Sequence, residues 1–106
     1  METEDLPELM REVAAALATL PAEILEREYY PQVSGSWYLG FRFEGRRFRA
    51  VFDAKDRACW LERRAKPRFR RHRWEPTTWQ WTGPGAEPFP VEELLAAVRR
   101  EAAGRA

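Results

Sequence analysis

Residues 37–53 contain two short runs in which a large apolar side chain occupies every second position. Trp37, Leu39, Phe41 and Phe43 alternate with Tyr38, Gly40, Arg42 and Glu44. After Glu44-Gly45-Arg46, Phe48, Ala50 and Phe52 alternate with Arg47, Arg49, Val51 and Asp53. A side-chain period of two belongs to a pleated strand, since a helix repeats every 3.6 residues. Two such runs across a tight turn make an antiparallel hairpin with one apolar and one polar face. The remaining chain must therefore supply a cover for the aromatic face Trp37, Leu39, Phe41, Phe43, Phe48 and Phe52.

Helices are the natural cover. Leu6, Leu9, Met10, Val13, Leu17 and Leu20 follow the helical period, which predicts an amphipathic helix over 6–19. Asp5 with Glu8 suits its cap, and Pro7 suits its first turn. Pro21 ends this helix or opens a second short one over Ala22–Glu28, with Ile24 and Leu25 inward and Pro31 as its stop. At the other end, Val91–Ala103 reads as a helix with Val91, Leu94, Leu95, Val98 and Ala102 inward. Gly83-Pro84-Gly85, Pro88 and Pro90 precede it as a stiff linker.

Between these helices the sheet gains further strands. Asp53-Ala54-Lys55-Asp56 is a turn by composition. Ala58–Arg64 follows as a third strand, with Cys59 and Leu61 on one face and Trp60 and Glu62 on the other. Thr77–Thr82 is strongly β-prone and adds a fourth, with Trp79 and Trp81 read as core in preference to an exposed anchor for a partner. The fold class expected is α+β: a small antiparallel meander of three or four strands, packed by an N-terminal helix or helical pair and a C-terminal helix. The whole chain, 1–106, is one domain by length.

Charge divides this domain unevenly. Residues 1–35 carry eight acids and two bases, 36–74 four acids and thirteen bases, and 75–106 five acids and three bases, giving −6, +9 and −2 and the overall +1. The positive section culminates in Arg63-Arg64-Ala65-Lys66-Pro67-Arg68-Phe69-Arg70-Arg71-His72-Arg73-Trp74. Pro67 and the dense charge favour an exposed loop or ragged edge strand there. On the sheet, Arg42, Arg47, Arg49 and Arg64 share the polar face with Tyr38 and Trp60.

These residues form the leading candidate site. Guanidinium forks match phosphate oxygens, and aromatic rings stack unpaired bases. The residues expected to bind are Arg42, Arg47, Arg49, Arg64, Arg68, Arg70, Arg71 and Arg73, with Phe69 and Trp74 as stacking groups. Two occupants fit this chemistry: nucleic acid, RNA or DNA, or the acidic surface of a protein. A second copy of this chain would bring such a surface in its acidic N-terminal segment, which makes a homodimer one form of the second alternative beside a module that meets another acidic protein. Against both stands a basic patch solvated or neutralised by the protein's own acids. The near-zero net charge weighs against a general nucleic-acid binder.

The order helix–strand–strand–strand–helix resembles the double-stranded-RNA-binding domain in topology. Its motifs are not matched. Glu44-Gly45-Arg46 stands where that family has a Gly-Pro-x-His type loop, and Val91-Glu92-Glu93 would repel phosphate where its last helix begins with lysines. No residue role is carried over.

Catalytic readings are weaker, and the chain leans away from an enzyme. Glu44 with Asp53-Ala54-Lys55 imitates a metal-dependent nuclease pattern, but the hairpin puts the two carboxyls about 25 Å apart. Two metal-binding carboxylates must converge. Cys59 points inward by phase, His72 lies among arginines, and Ser34 and Ser36 flank Gly35 as turn residues. No cofactor and no metal site is expected. The single cysteine, the acidic first residues and the lack of any apolar span of about 20 residues suggest a cytoplasmic protein without a membrane partner. Sixteen Arg against two Lys, no Asn, two Gln and eight Pro form a thermophile-like composition, which a GC-rich genome would also produce.

Overall fold

The computed structural model describes residues 7–32, 35–68, 71–83 and 88–104, with the backbone alone described at 66–68 and 71–72. The elements run α1 (Glu8–Ala18), β1 (Glu23–Tyr30), β2 (Ser36–Phe43), β3 (Arg46–Asp53), β4 (Ala58–Arg68), β5 (Arg71–Thr82) and α2 (Val91–Ala103). The five strands form one antiparallel sheet in the order β1-β2-β3-β4-β5. The class is α+β, as expected, but the meander has five strands where three or four were anticipated.

The β2–β3 hairpin follows its alternation without a slip, pairing Trp37 with Phe52, Leu39 with Ala50 and Phe41 with Phe48. Glu44 (φ 53°) and Gly45 (φ 78°) both take left-handed backbone at the turn. That is the conformation whose twist matches two antiparallel strands. Trp37 stacks on Phe52 with centroids 5.4 Å apart, and Phe41 on Phe48 at 5.6 Å. These rings are almost fully buried. Each is worth about 1.5–3 kcal/mol in transferred apolar surface.

Both helices cover this face. α1 buries Met10, Val13 and Leu17, and α2 buries Leu94, Leu95, Ala97 and Val98. Pro7 occupies the cap position of α1 without a side-chain hydrogen bond, and its carbonyl accepts from Arg11 N at 3.1 Å. Asp5, the expected cap, lies outside the described residues.

One expectation is corrected. Ala22–Glu28 is not a second helix, because Glu23–Tyr30 is β1. As a helix it would have left one side of β2 without backbone partners beside buried Leu39 and Phe41. As a strand it pairs from Glu23–Arg42 to Tyr30–Ser36, with a bulge between Ile24 and Glu26, and Ile24 and Tyr29 pack on the core. Of the two forms expected for the arginine run, an exposed loop or a ragged edge strand, its described residues take the strand. β4 continues to Arg68, five residues past its last pair with β3, and β5 returns from Arg71. The result is a two-stranded arm projecting about 17 Å beyond that pair.

The chain after the sheet closes over its last strand. Trp79 is buried, and Phe89 meets Trp79 and Trp81 edge-on at 6.2 and 5.0 Å. A Cβ at Gly83 would fall 1.9 Å from the Trp81 ring, so this approach requires glycine. Arg57 Nε donates to the Gly83 carbonyl at 2.6 Å, and Gly83 N donates to the Arg57 carbonyl at 3.0 Å. No helix among the described residues is long and apolar enough to cross a membrane.

Candidate nucleic-acid interface

With both helices on one side, the other side of the sheet carries no secondary structure among the described residues. Strand register sorts its side chains into rows. Arg42 pairs with Arg47, and Arg64 with Trp74. One step beyond the Phe48–Arg63 pair, Arg47 and Arg64 are neighbours. Arg42, Arg47, Arg64 and Trp74 thus form one row across four adjacent strands. At 4.7–4.9 Å per strand, the three arginines stand within about 10 Å.

The second row contains Glu26, Gly40, Arg49, Glu62 and Pro76. Here charge is compensated. Arg49 Nε donates to Glu62 Oε1 at 2.6 Å, and Trp60 Nε1 donates to Glu62 Oε2 at 2.8 Å. The Arg49 guanidinium also lies 5.1 Å from the Tyr38 ring centroid and 4.5 Å from that of Trp74. Cation–π contacts of this kind contribute about 0.5–2 kcal/mol each. The third row, Glu28, Tyr38, Val51, Trp60 and Gln80, brings two rings onto adjacent sides of a valine. Burial pushes the Tyr38 phenol pKa up, with Glu26, Tyr30 and Glu28 acting in the same direction and Arg49 opposing them. The phenol therefore stays a protonated donor at neutral pH.

The arginines expected to act together do not behave alike. Arg49 is neutralised by Glu62, and Arg73 meets Glu75 at 3.4 Å. Arg42 reaches Glu23 only at 3.9 Å, with both side chains about half exposed or more, so that pair is screened and weak. Arg47 and Arg64 form no ion pair among the described residues, and Arg47 Nε is buried without an acceptor. Trp74 lies at the end of the row, half-buried. Phe69 and Arg70 lie outside the described residues, as do the side chains of Arg68 and Arg71.

Sequence reasoning missed Glu62 as the centre of the second row. The signal was present: Glu62 follows Trp60 by two within β4, and the turn at 54–57 sets it opposite Arg49. Cys59 is buried as its phase predicted, and its thiol is pushed up to about 12 by desolvation. That removes it as a nucleophile. Glu44 lies in the β2–β3 turn and Asp53 at the other end of β3, so the nuclease pattern is not assembled. No cluster of metal-ligating residues occurs among the described residues.

Fold and site define an α+β domain whose open sheet face carries arginines and aromatic rings. Compared with known protein families, curated proteins and solved structures, the chain has no match.

Proposed function

We propose that this chain is a non-enzymatic module that binds single-stranded nucleic acid on the open face of its sheet. The observation that carries the reading is the row Arg42, Arg47, Arg64 and Trp74: three guanidinium groups with one weak acidic contact between them, ending on a ring. Like charges on neighbouring strands destabilise a sheet. A phosphate backbone lying along the row would relieve that repulsion. Trp74, Tyr38 and Trp60 supply stacking surfaces for bases a few ångströms away. Tyr38 and Trp74 are held by Arg49 and Trp60 by Glu62, so little side-chain freedom remains to be lost on binding. Stacking needs unpaired bases, and a duplex hides them.

The alternative occupant is an acidic protein surface, including a second copy of this chain. The observation behind it is that carboxylates, the groups such a surface would present, already engage Arg42, Arg49, Arg63 and Arg73. Titrating labelled single-stranded and duplex RNA and DNA at about 50 and 200 mM salt separates the two. Tight single-strand binding with quenched tryptophan emission, weakening steeply with salt, supports the first reading. No binding at the lower salt, together with a dimer or a bound acidic protein in light scattering, replaces it with the second.

A further inference from the structure

A nucleic-acid strand on the open face would cross its rows in a fixed order. Phosphates would lie on Arg42, Arg47 and Arg64, and bases would stack on Tyr38 and Trp60 two rows away. On β2, Gly40 stands between them, about 7 Å from both Arg42 and Tyr38. The edges of the bases would therefore pass over the middle row, Glu26, Gly40, Arg49 and Glu62.

Most of this row is already committed. Glu62 accepts from Arg49 at one oxygen and from Trp60 at the other, and the Arg49 guanidinium lies over the Tyr38 and Trp74 rings. Glu26 is the exception. It is exposed, and it takes part in no ion pair or side-chain hydrogen bond among the described residues. Its place on the sheet is nonetheless defined. A Cβ on Gly40 would stand 2.6 Å from Glu26 Oε1 and 3.3 Å from Glu26 Cβ, so the carboxylate fills the space where residue 40 has no side chain. Burial, and then the charge of Glu26, raise the Tyr38 phenol pKa, which places carboxylate and ring side by side.

We propose that Glu26, seated on Gly40 between the arginine row and the rings, makes the open face selective for guanine. The inference rests on the function proposed above, since it names the base which that surface reads. An ionised carboxylate accepts and cannot donate. Guanine alone among the bases sets two donors side by side on its Watson–Crick edge, N1–H and the N2 amino group, and the two oxygens of Glu26 match them as a bidentate pair. Adenine and cytosine present one amino group beside a ring-nitrogen acceptor. Uracil and thymine present one N–H between two carbonyls. Each of these turns a lone pair toward the carboxylate, which repels it. Pairing consumes the guanine edge in a duplex, so this reading applies to single strands. A carboxylate on a phosphate-binding face weakens general affinity, and a preference for one base is what that loss would serve.

The probes are short labelled uridine strands with one central guanosine, inosine, 7-deazaguanosine or adenosine, titrated at low salt by fluorescence anisotropy. The guanosine strand should bind about tenfold or more tighter than the adenosine strand, the discrimination expected of a bidentate base contact. Inosine lacks the N2 amino group and should lose most of that gain. 7-Deazaguanosine lacks only the N7 acceptor and should keep it, whereas an arginine reading O6 and N7 would give the reverse. Glu26→Gln removes a charge that repels phosphate, so it should bind every strand at least as tightly as wild type while the guanine preference falls below about threefold. Gly40→Ala keeps the charge, displaces the carboxylate and should lose the same preference. A wild type without guanine preference overturns the inference and leaves the open-face function standing. So does a preference that survives Glu26→Gln with all affinities raised alike, or one sensitive to 7-deazaguanosine and not to inosine. No binding of any strand at about 50 mM salt overturns the inference and the open-face function together.

Discussion

The two faces of this sheet are built from the same strands and obey opposite rules. On the covered face, Trp37, Leu39, Phe41, Phe48 and Leu61 lie in one apolar cluster, and both helices pack their apolar stripes on it. On the open face, Tyr38, Arg49, Trp60, Glu62 and Trp74 hold one another through an ion pair, a hydrogen bond and ring contacts. The first face specifies the fold. The second is organised without being covered, and its outermost row is left with like charges side by side. A sheet that needed only to be stable would not place Arg42, Arg47 and Arg64 in one row.

The contrast is broken most forcefully at Phe41. Phe41→Ala should cost about 3–5 kcal/mol, because the fully buried ring leaves a cavity in the core. Tyr38→Ala, pointing the other way on the same strand, should cost about 1 kcal/mol by losing one half-buried ring and its cation contact. Urea unfolding of the two variants compares them, and equal losses would contradict the division of faces.

Smaller effects sharpen it. Glu62→Gln leaves Arg49 without its counter-charge in a half-buried setting and should cost about 1–3 kcal/mol. Gly83→Ala drives a methyl into the Trp81 ring and should cost a similar 1–3 kcal/mol, roughly, through overpacking. Gly40→Ala displaces the carboxylate end of Glu26 and also presses a methyl to 3.3 Å from Glu26 Cβ at a buried position, and should cost about 1 kcal/mol.

Cys59 gives a test by pH. Between 9.0, the ordinary thiol value, and about 12, the unfolded chain releases a proton that the folded chain keeps. A raised folded pKa means the contribution is complete below that window and is lost as pH climbs through it. Thermal melts of wild type and Cys59→Ala, followed from neutral pH into the window, should diverge, the wild type losing more. Native-state reaction with a thiol reagent should be slow and should accelerate only with unfolding.

Much of this arrangement is legible in the order of residues. The β2–β3 alternation, the inward phase of Cys59 and Leu61, and α2 follow from spacing alone, because those residues meet a core. β1 was not legible. Ala22, Glu23, Leu25 and Glu26 are good helix formers, and its edge position and bulge break the alternation that would have marked a strand. The choice between loop and edge strand for the arm stayed open for a related reason: beyond Arg64 nothing apolar in the sequence records a pleat. The site was legible as composition and not as arrangement. That Arg49 is neutralised while Arg47 and Arg64 are not depends on which residue stands opposite in β4, and the register decides that.

The central claim is that the arginine row of the open face meets phosphate. Its most direct measurement is the salt dependence of single-strand affinity in wild type and in the combined Arg42→Ala, Arg47→Ala and Arg64→Ala variant. Losing three phosphate contacts should flatten the slope of log affinity against log salt by about 2. The melting temperature should hold or rise as like-charge repulsion disappears. An unchanged slope and affinity in a folded variant would contradict the account.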